Sequence, residues 1–209
     1  MGIPVEIPGL NTIVPEIGDG RLVVVESGAD PAKSFFVRRL ALSAMAAHKV
    51  VTFVTSRDRD EVRDQFGREG NRPDWEEGTA EIVEQDSIEH LEMLGSAGGL
   101  LAVDSFSYLT LGLTGPELAK LLRGVRTLCH EKQAIVVLAT DRGMYEPRAE
   151  AVTAHLADGV LQFHAKEGPE GLIRYLRIPK WSDGRFVDRN IYYDFDGKRI
   201  AVDLRSRVL

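Results

Sequence analysis

The stretch that decides the fold is residues 22–36, Leu22-Val23-Val24-Val25-Glu26-Ser27-Gly28-Ala29-Asp30-Pro31-Ala32-Lys33-Ser34-Phe35-Phe36. Its apolar start predicts a buried strand, its small residues predict a tight loop, and the run from Lys33 onward predicts a helix. In that position the Lys33 amine can reach the β- and γ-phosphates of a nucleotide, and the Ser34 hydroxyl can ligate Mg²⁺. Backbone N–H groups of the loop and of the helix N-terminus supply the rest of an anion site. The stretch therefore has the outline of a phosphate-binding loop.

The loop departs from the pattern G-x-x-x-x-G-K-[ST] at both glycine positions, which hold Ser27 and Ala32. Pro31 removes an N–H that the loop could have donated, and Asp30 places a negative charge inside the anion site. The methyl group of Ala32 is expected to crowd the phosphates, and a left-handed backbone there would cost on the order of 1–2 kcal/mol. The Walker A motif is thus degenerate. The candidate nucleotide-binding residues are Gly28, Asp30, Pro31, Ala32, Lys33 and Ser34.

Composition and charge narrow the class of protein. The chain has 209 residues, 44% of them hydrophobic, and it alternates strand-forming and helix-forming runs; this predicts one domain over residues 1–209 with a mostly parallel α/β sheet. The net charge of −6 argues against non-specific nucleic-acid binding. The single cysteine, Cys129, predicts a buried thiol in a reducing compartment. Because neither a signal peptide nor an apolar run of about 20 residues is visible, we expect a soluble, cytoplasmic protein without membrane insertion.

Periodicity and turn residues predict the order of elements. Strands are expected at 22–25, 50–55, 79–83, 98–105 and 134–139, and helices at 33–47, within 56–66, from 88, at 114–132 and at 147–156. Ser87 and Thr114 are expected to cap two of these helices. Short alternating runs at 160–163, 172–178, 190–195 and 199–202 predict antiparallel strands that extend the sheet. The proline- and glycine-punctuated residues 3–13 predict a segment packed on the edge of the domain.

Asp104 is the candidate metal ligand that accompanies Ser34. It closes the apolar run Leu100-Leu101-Ala102-Val103, and the carboxyl ends of parallel strands meet at the edge where Lys33 and Ser34 are expected. An acid there can hold Mg²⁺ through water or through the Ser34 hydroxyl. The alternative interpretation of Asp104 is a residue that caps a turn. The five histidines and the single cysteine form no metal-ligand spacing, and no Ser/His/Asp arrangement is legible, so the catalytic residues stay unknown.

These segments together resemble the KaiC-like branch of the RecA superfamily, which is best known from archaea. The resemblance covers nearly the whole chain, and the order and spacing of the segments make it fairly specific. Ile7-Pro8-Gly9-Leu10 looks like the branch's opening motif, the stretch up to Lys33-Ser34 its Walker A region, and 100–105 its Walker B strand. The remaining similar segments are 150–160, where a helix gives way to a strand, Leu176-Arg177-Ile178-Pro179-Lys180, and the hairpin Asp196-Gly197-Lys198-Arg199-Ile200.

The resemblance implies a RecA-like P-loop NTPase fold that uses ATP and Mg²⁺ and self-associates or binds protein partners. By resemblance, Lys180 would reach a neighbouring subunit's nucleotide. Active members carry a glutamate pair after the second strand, one of which activates the attacking water, but the matching positions here are Ser56 and Arg57. Losing a positioned base typically costs about 10²–10⁴-fold in rate. The arginine expected shortly after Lys180 is also missing, since Arg185 comes late.

Three hypotheses follow for the function. The first is a degenerate KaiC-like protein that is catalytically weak or inactive and acts in regulation or signalling by binding partners, with or without ATP. The second is an active ATPase that uses Lys33, Ser34 and Asp104 with Glu26 or Asp141 as the candidate base. The third is a DNA-binding accessory protein of the recombinase type, which the acidic charge and the lack of a basic, aromatic-bearing loop disfavour.

Overall fold

The computed structural model describes residues 2–28, 30–69, 75, 79–88, 91–169, 171–182, 184 and 187–203, with residues 92 and 188 described through their backbone alone. The strands are β1 (Ile3–Pro4), β2 (Glu16–Ile17), β3 (Leu22–Ser27), β4 (Val51–Thr55), β5 (Ala80–Glu84), β6 (Leu100–Val103), β7 (Ile135–Asp141), β8 (Gly159–Gly168), β9 (Gly171–Lys180), β10 (Val187–Phe195) and β11 (Ile200–Asp203). The helices are α1 (Leu10–Ile13), α2 (Ala32–Ala46), α3 (Arg59–Arg68), α4 (Phe106–Leu109), α5 (Gly115–Lys132) and α6 (Pro147–Leu156), with a 3₁₀ turn at Leu91–Met93.

The centre of the fold is a sheet whose nine strands, in the described residues, run in the order β11-β10-β9-β8-β3-β7-β6-β4-β5. The six strands from β8 to β5 are parallel, and β9, β10 and β11 continue the sheet in antiparallel fashion. The predicted α/β fold, with a mostly parallel sheet and antiparallel strands toward the C-terminus, is confirmed. The prediction was wrong for residues 160–163. They lie in β8, which is parallel to β3, because the chain reverses direction one strand later than expected.

The centre of the sheet is buried on both faces, which explains the uninterrupted apolar run in β3. Val23 and Val25 face one core cluster together with residues of α2, and Leu22 and Val24 face a second cluster together with residues of α5. Side chains alternate between the two faces of a strand, so the part of a strand that is covered on both sides is apolar on both, as residues 22–25 are. The helices on the two faces of the sheet hold the carboxyl end of β3 in place. The loop of residues 28–31 runs from this end to α2.

Most predicted helices are present, and one of the two predicted caps is. The helix α5 begins with a capping box between Thr114 and Glu117, and α6 has the predicted bounds. The helix predicted from Ile88 with Ser87 as its cap was wrong, because neither residue is helical and the Ile88 N–H donates to the Leu109 carbonyl at 3.2 Å. Residues 89 and 90 lie outside the described residues. No helix in the described part of the chain is long and apolar enough to cross a membrane.

The segment of residues 3–13 packs on the edge of the fold, as predicted. Ile7 and Leu10 are buried, and the Val202 N–H of β11 donates to the Pro8 carbonyl at 3.3 Å. Gly9 between them has a φ of 84°, and a Cβ there would lie 2.8 Å from the Val202 side chain. The glycine of this opening motif is therefore required both by its left-handed backbone and by close contact with β11.

Candidate nucleotide-binding site

The loop between β3 and α2 is short and held by its own hydrogen bonds. The Ser27 hydroxyl donates to the Gly28 carbonyl at 2.8 Å and to the Asp30 carbonyl at 3.3 Å. Pro31 caps α2 with a φ of −70°, a value that proline adopts without strain. The left-handed backbone predicted at Ala32 was wrong. Because α2 begins at this residue, one position earlier than predicted, Ala32 is helical and fully buried.

Ser34 and Asp104 meet at the carboxyl edge of the sheet. The Ser34 hydroxyl donates to Asp104 Oδ1 at 2.9 Å, and both residues are buried. Asp104 is fixed from the other side, because its N–H donates to the Val54 carbonyl of β4 at 2.8 Å. A hydroxyl oxygen beside a carboxylate is a ligand pair that suits Mg²⁺. The structure thus brings the two predicted metal ligands together, and their role in metal binding stays a prediction.

The amine of Lys33, the residue before Ser34, already has partners. Its Nζ forms an ion pair with Asp141 Oδ1 and donates to the Thr140 carbonyl at 3.2 Å, both at the end of β7. Lys33 is 4% exposed, whereas the Asp141 side chain is one-third exposed. Two of the three N–H donors of the ammonium are thus engaged, so a phosphate that contacts the amine would share it with Asp141 or replace Asp141. Asp141 is held in turn by Ser107, whose hydroxyl accepts the Asp141 N–H at 2.8 Å.

The Asp30 carboxylate of the loop accepts hydrogen bonds from three groups. Its Oδ1 accepts the Ala32 N–H at 2.8 Å, and its Oδ2 accepts from Arg174 Nε at 3.2 Å and from the Tyr193 hydroxyl at 3.3 Å. Burial raises the pKa of the Tyr193 phenol, and the Asp30 charge raises it further, so the phenol keeps its proton and donates it. Arg174 and Tyr193 were not anticipated as parts of the site.

Both carboxylates considered as the general base are paired with cations. The glutamate pair that the resemblance implies is replaced by Ser56 and Arg57. Glu26 accepts from Gln162 Nε2 at 2.9 Å and lies 3.5 Å from the Arg142 guanidinium. Asp141, the other candidate, is the partner of Lys33. Arg57 follows the end of β4, where its N–H donates to the Thr55 hydroxyl, and its side chain is exposed. Both of these carboxylates therefore have a basic or an amide partner.

Lys180 lies at the opposite edge of the sheet from Lys33. It ends β9, which runs antiparallel to β8, and its Nζ donates to the carbonyls of Ala154 at 3.2 Å and His155 at 2.8 Å. These carbonyls belong to the last turn of α6, where a cation is favoured by the helix dipole. The structure therefore places Lys180 on its own chain's helix, and its contact with a neighbour's nucleotide stays a prediction. Arg185 lies outside the described residues.

Two further features, one at Ser105 and one between α5 and α6, were not predicted. Ser105, directly after Asp104, has a φ of 68°, a left-handed conformation that strains a residue with a side chain. An apolar groove of about 720 Å³ lies between the N-terminal ends of α5 and α6. Its wall includes Leu111 and Met144, two of the exposed large apolar side chains of the described residues. No local sequence signal pointed to the groove, because helices distant in sequence form it.

This sheet order, with a strand–loop–helix unit at β3 and an acid after β6, defines a KaiC-like RecA fold. The same fold occurs in the KaiC-like protein PH0186 from the hyperthermophilic archaeon Pyrococcus horikoshii, with a TM-score of 0.77 over 97% of this chain and 99% of that chain at 19% sequence identity. The chain itself belongs to a family of unknown function, DUF7125, which it matches over residues 17–208. No curated protein matches the sequence. The resemblance to KaiC-like proteins is thus confirmed at the level of the fold.

Proposed function

We propose that this chain is a catalytically weak or inactive KaiC-like protein that binds Mg²⁺–ATP at the loop of residues 27–34 and acts in regulation or signalling through protein partners. The observation that carries the proposal is the buried contact of 2.9 Å between the Ser34 hydroxyl and the Asp104 carboxylate. Ser34 directly follows Lys33 in the chain, while Ser56 and Arg57 stand where the resemblance implies an activating glutamate.

The binding half of the proposal rests on the placement of three groups. Lys33 supplies a cation for the β- and γ-phosphates, and Ser34 and Asp104 supply oxygen ligands for the accompanying Mg²⁺. The N-terminus of the 15-residue helix α2 adds backbone N–H groups and a favourable dipole. The degenerate glycine positions weaken the site without removing these groups.

The weak-hydrolysis half rests on the two candidate bases, both of which already have partners. Glu26 is committed to Arg142 and Gln162, and Asp141 is committed to Lys33. A carboxylate oxygen that already accepts from a neighbouring group is less available to orient an attacking water. An enzyme without a positioned base loses about 10²–10⁴-fold in rate, so ATP would remain bound far longer than in an active relative.

A site that holds ATP without turning it over serves as a binding switch, and its output then depends on partners. We therefore include self-association or a protein partner in the proposal. If a neighbouring subunit's nucleotide recruits Lys180, the lysine must first release the two carbonyls of α6, so assembly and the end of α6 would be coupled.

The test measures nucleotide binding and turnover on the same samples. Thermal unfolding is followed with and without Mg²⁺–ATP for the native chain, for Lys33→Ala and for Lys49→Ala. Lys49 is the matched control, because its amine also forms an ion pair, with Asp19 at 2.8 Å, before the start of β4. At a ligand concentration ten times the Kd, binding adds about 1.4 kcal/mol, which is a shift of roughly 3–6 °C for a chain of this size.

We expect the shift in the native chain and in Lys49→Ala, its loss in Lys33→Ala, and phosphate release no faster than in a buffer control. Phosphate release that disappears in Lys33→Ala would show an active ATPase and overturn the inactive assignment. No shift in the native chain at 10 mM ATP, roughly ten times a millimolar Kd, would overturn nucleotide binding.

A further inference from the structure

The Asp30 carboxylate occupies a group that a bound phosphate needs. Its side chain is 2% exposed, and Oδ1 accepts the N–H of Ala32, the first residue of α2, at 2.8 Å. The first four N–H groups of a helix have no partner within the helix, and these groups form the anion site at a helix N-terminus. One of them is already bound to an anion of the chain itself.

The second oxygen of the carboxylate is held from two other strands. Arg174 of β9 donates to Oδ2 at 3.2 Å, and the Tyr193 hydroxyl of β10 donates to it at 3.3 Å. Tyr193 is buried, and Arg174 is largely so. Three donors from three elements therefore fix the Asp30 side chain in the loop. A loop aspartate exposed to solvent would satisfy its carboxylate with water instead.

We propose that Asp30 is an internal ligand of the loop that competes with the phosphate of a nucleotide for the Ala32 N–H. The inference rests on the proposed nucleotide site and names how that site is regulated. A phosphate can take the amide only if the carboxylate leaves, or if two like charges share one small buried site, which is unfavourable. Arg174 and Tyr193 oppose the departure. Without a nucleotide, the Ala32 N–H is thus occupied by the loop's own Asp30, and the loop has a low affinity for a nucleotide.

The same contacts link nucleotide binding to the antiparallel strands. A change that moves β9 or β10 away from the loop releases Asp30 and raises nucleotide affinity. By thermodynamic reciprocity, a bound nucleotide weakens the attachment of these strands to the loop by the same factor. The loop and the C-terminal part of the sheet therefore act as one element with two states.

Direct binding measurements test the proposal. Equilibrium dialysis of Mg²⁺–ATP and of pyrophosphate is carried out on the native chain, Asp30→Gly, Asp30→Asn and Tyr193→Phe, with circular dichroism melts to verify that each variant is folded. Asp196→Asn is the matched control. The Asp196 carboxylate also accepts hydrogen bonds from backbone N–H groups, those of Lys198 at 2.8 Å and Arg199 at 2.9 Å, but it lies in the turn between β10 and β11.

We expect Asp30→Gly to bind both probes about 10- to 100-fold more tightly, since a charge-assisted amide hydrogen bond of this kind is worth that factor. Asp30→Asn removes the charge but keeps an acceptor for Ala32, so its gain is smaller, as is that of Tyr193→Phe, which loosens the carboxylate. Asp196→Asn should bind like the native chain.

The outcomes separate this proposal from the nucleotide site on which it rests. Binding by the native chain without a gain in the Asp30 variants overturns the competition and leaves the site intact. Binding only by the Asp30 variants supports the competition and overturns nucleotide binding by the native chain. No binding by any variant overturns both. If Asp30→Gly does not fold, the gain or lack of gain in Asp30→Asn and Tyr193→Phe decides.

Discussion

The ion pair between Lys33 and Asp141 sets how much free energy a phosphate must replace, and its strength can be measured by a double-mutant cycle. The variants are Lys33→Met, which keeps the length of the buried side chain, Asp141→Asn, and the double variant. Their free energies of unfolding are obtained from urea denaturation. The quantity of interest is the coupling energy, the part of the double variant's effect that the two single effects do not explain.

Burial determines the expected magnitude. Exposed ion pairs contribute about 0.2–1 kcal/mol, and breaking a fully buried pair costs about 3–5 kcal/mol. Here the Lys33 side chain is 6% exposed and the Asp141 side chain 33%, so water still screens one partner. We therefore expect a coupling of about 1–2 kcal/mol, between these limits. For a chain of this size, that corresponds to a change in melting temperature of roughly 2–8 °C.

The pair formed by Lys49 and Asp19 provides the comparison, because its side chains are 12% and 25% exposed. A similar coupling there would show that the value at Lys33 reflects ordinary pairing at partial burial. A coupling below about 0.3 kcal/mol at Lys33 and Asp141 would lie within the error of additivity. It would refute the reasoning, because the Lys33 amine could then exchange Asp141 for a phosphate at almost no cost in free energy.

Two further predictions concern titratable groups outside the loop. Burial raises the pKa of the Cys129 thiol to about 12, so we expect iodoacetamide to leave the native chain unmodified at pH 8 and to alkylate it after unfolding; rapid native alkylation, seen by mass spectrometry, would contradict the burial. Burial, with the charges of Arg142 and Arg177, lowers the pKa of His164 below its ordinary value of 6.5, so the unfolded chain takes up a proton first as pH falls. We expect the free energy of unfolding to decline below about pH 6.5 and His164→Gln to decline less, with His130→Gln following the native chain; an unchanged decline in His164→Gln would contradict the assignment.

Local signals in the sequence predicted most of the elements. The helix α5 illustrates why, since Thr114, Pro116 and Glu117 mark its start within four positions and the capping box is present. The meeting of Ser34 with Asp104 followed from a general property, because the carboxyl ends of parallel strands share one edge of the sheet. Such predictions depend on nearby residues or on the direction of strands, and both can be read from one sequence.

The partners of Asp30 could not be predicted in this way. Arg174 and Tyr193 lie 144 and 163 residues further along the chain, on strands whose neighbours are determined by the order of the whole sheet. An alternating run has the same appearance in parallel and antiparallel strands, which is also why the direction of β8 was missed. Ser87 shows the converse limit, because a residue suited to cap a helix does not create one when the next amide, that of Ile88, bonds elsewhere.

The residues that suggest a nucleotide site also stabilise the fold without a nucleotide. Lys33 joins α2 to β7, Ser34 joins it to the end of β6, and Asp30 joins the loop to β9 and β10. Each would be favoured at its position by these contacts alone, so their presence in the sequence does not distinguish a working site from one retained for stability. Removing Asp30 separates the two cases, because under the proposed competition its loss strengthens phosphate binding, whereas in a site retained for stability its loss only weakens the fold. Under the proposed competition, the Asp30 carboxylate favours the empty loop, and a nucleotide binds only when its contact with the Ala32 N–H is broken.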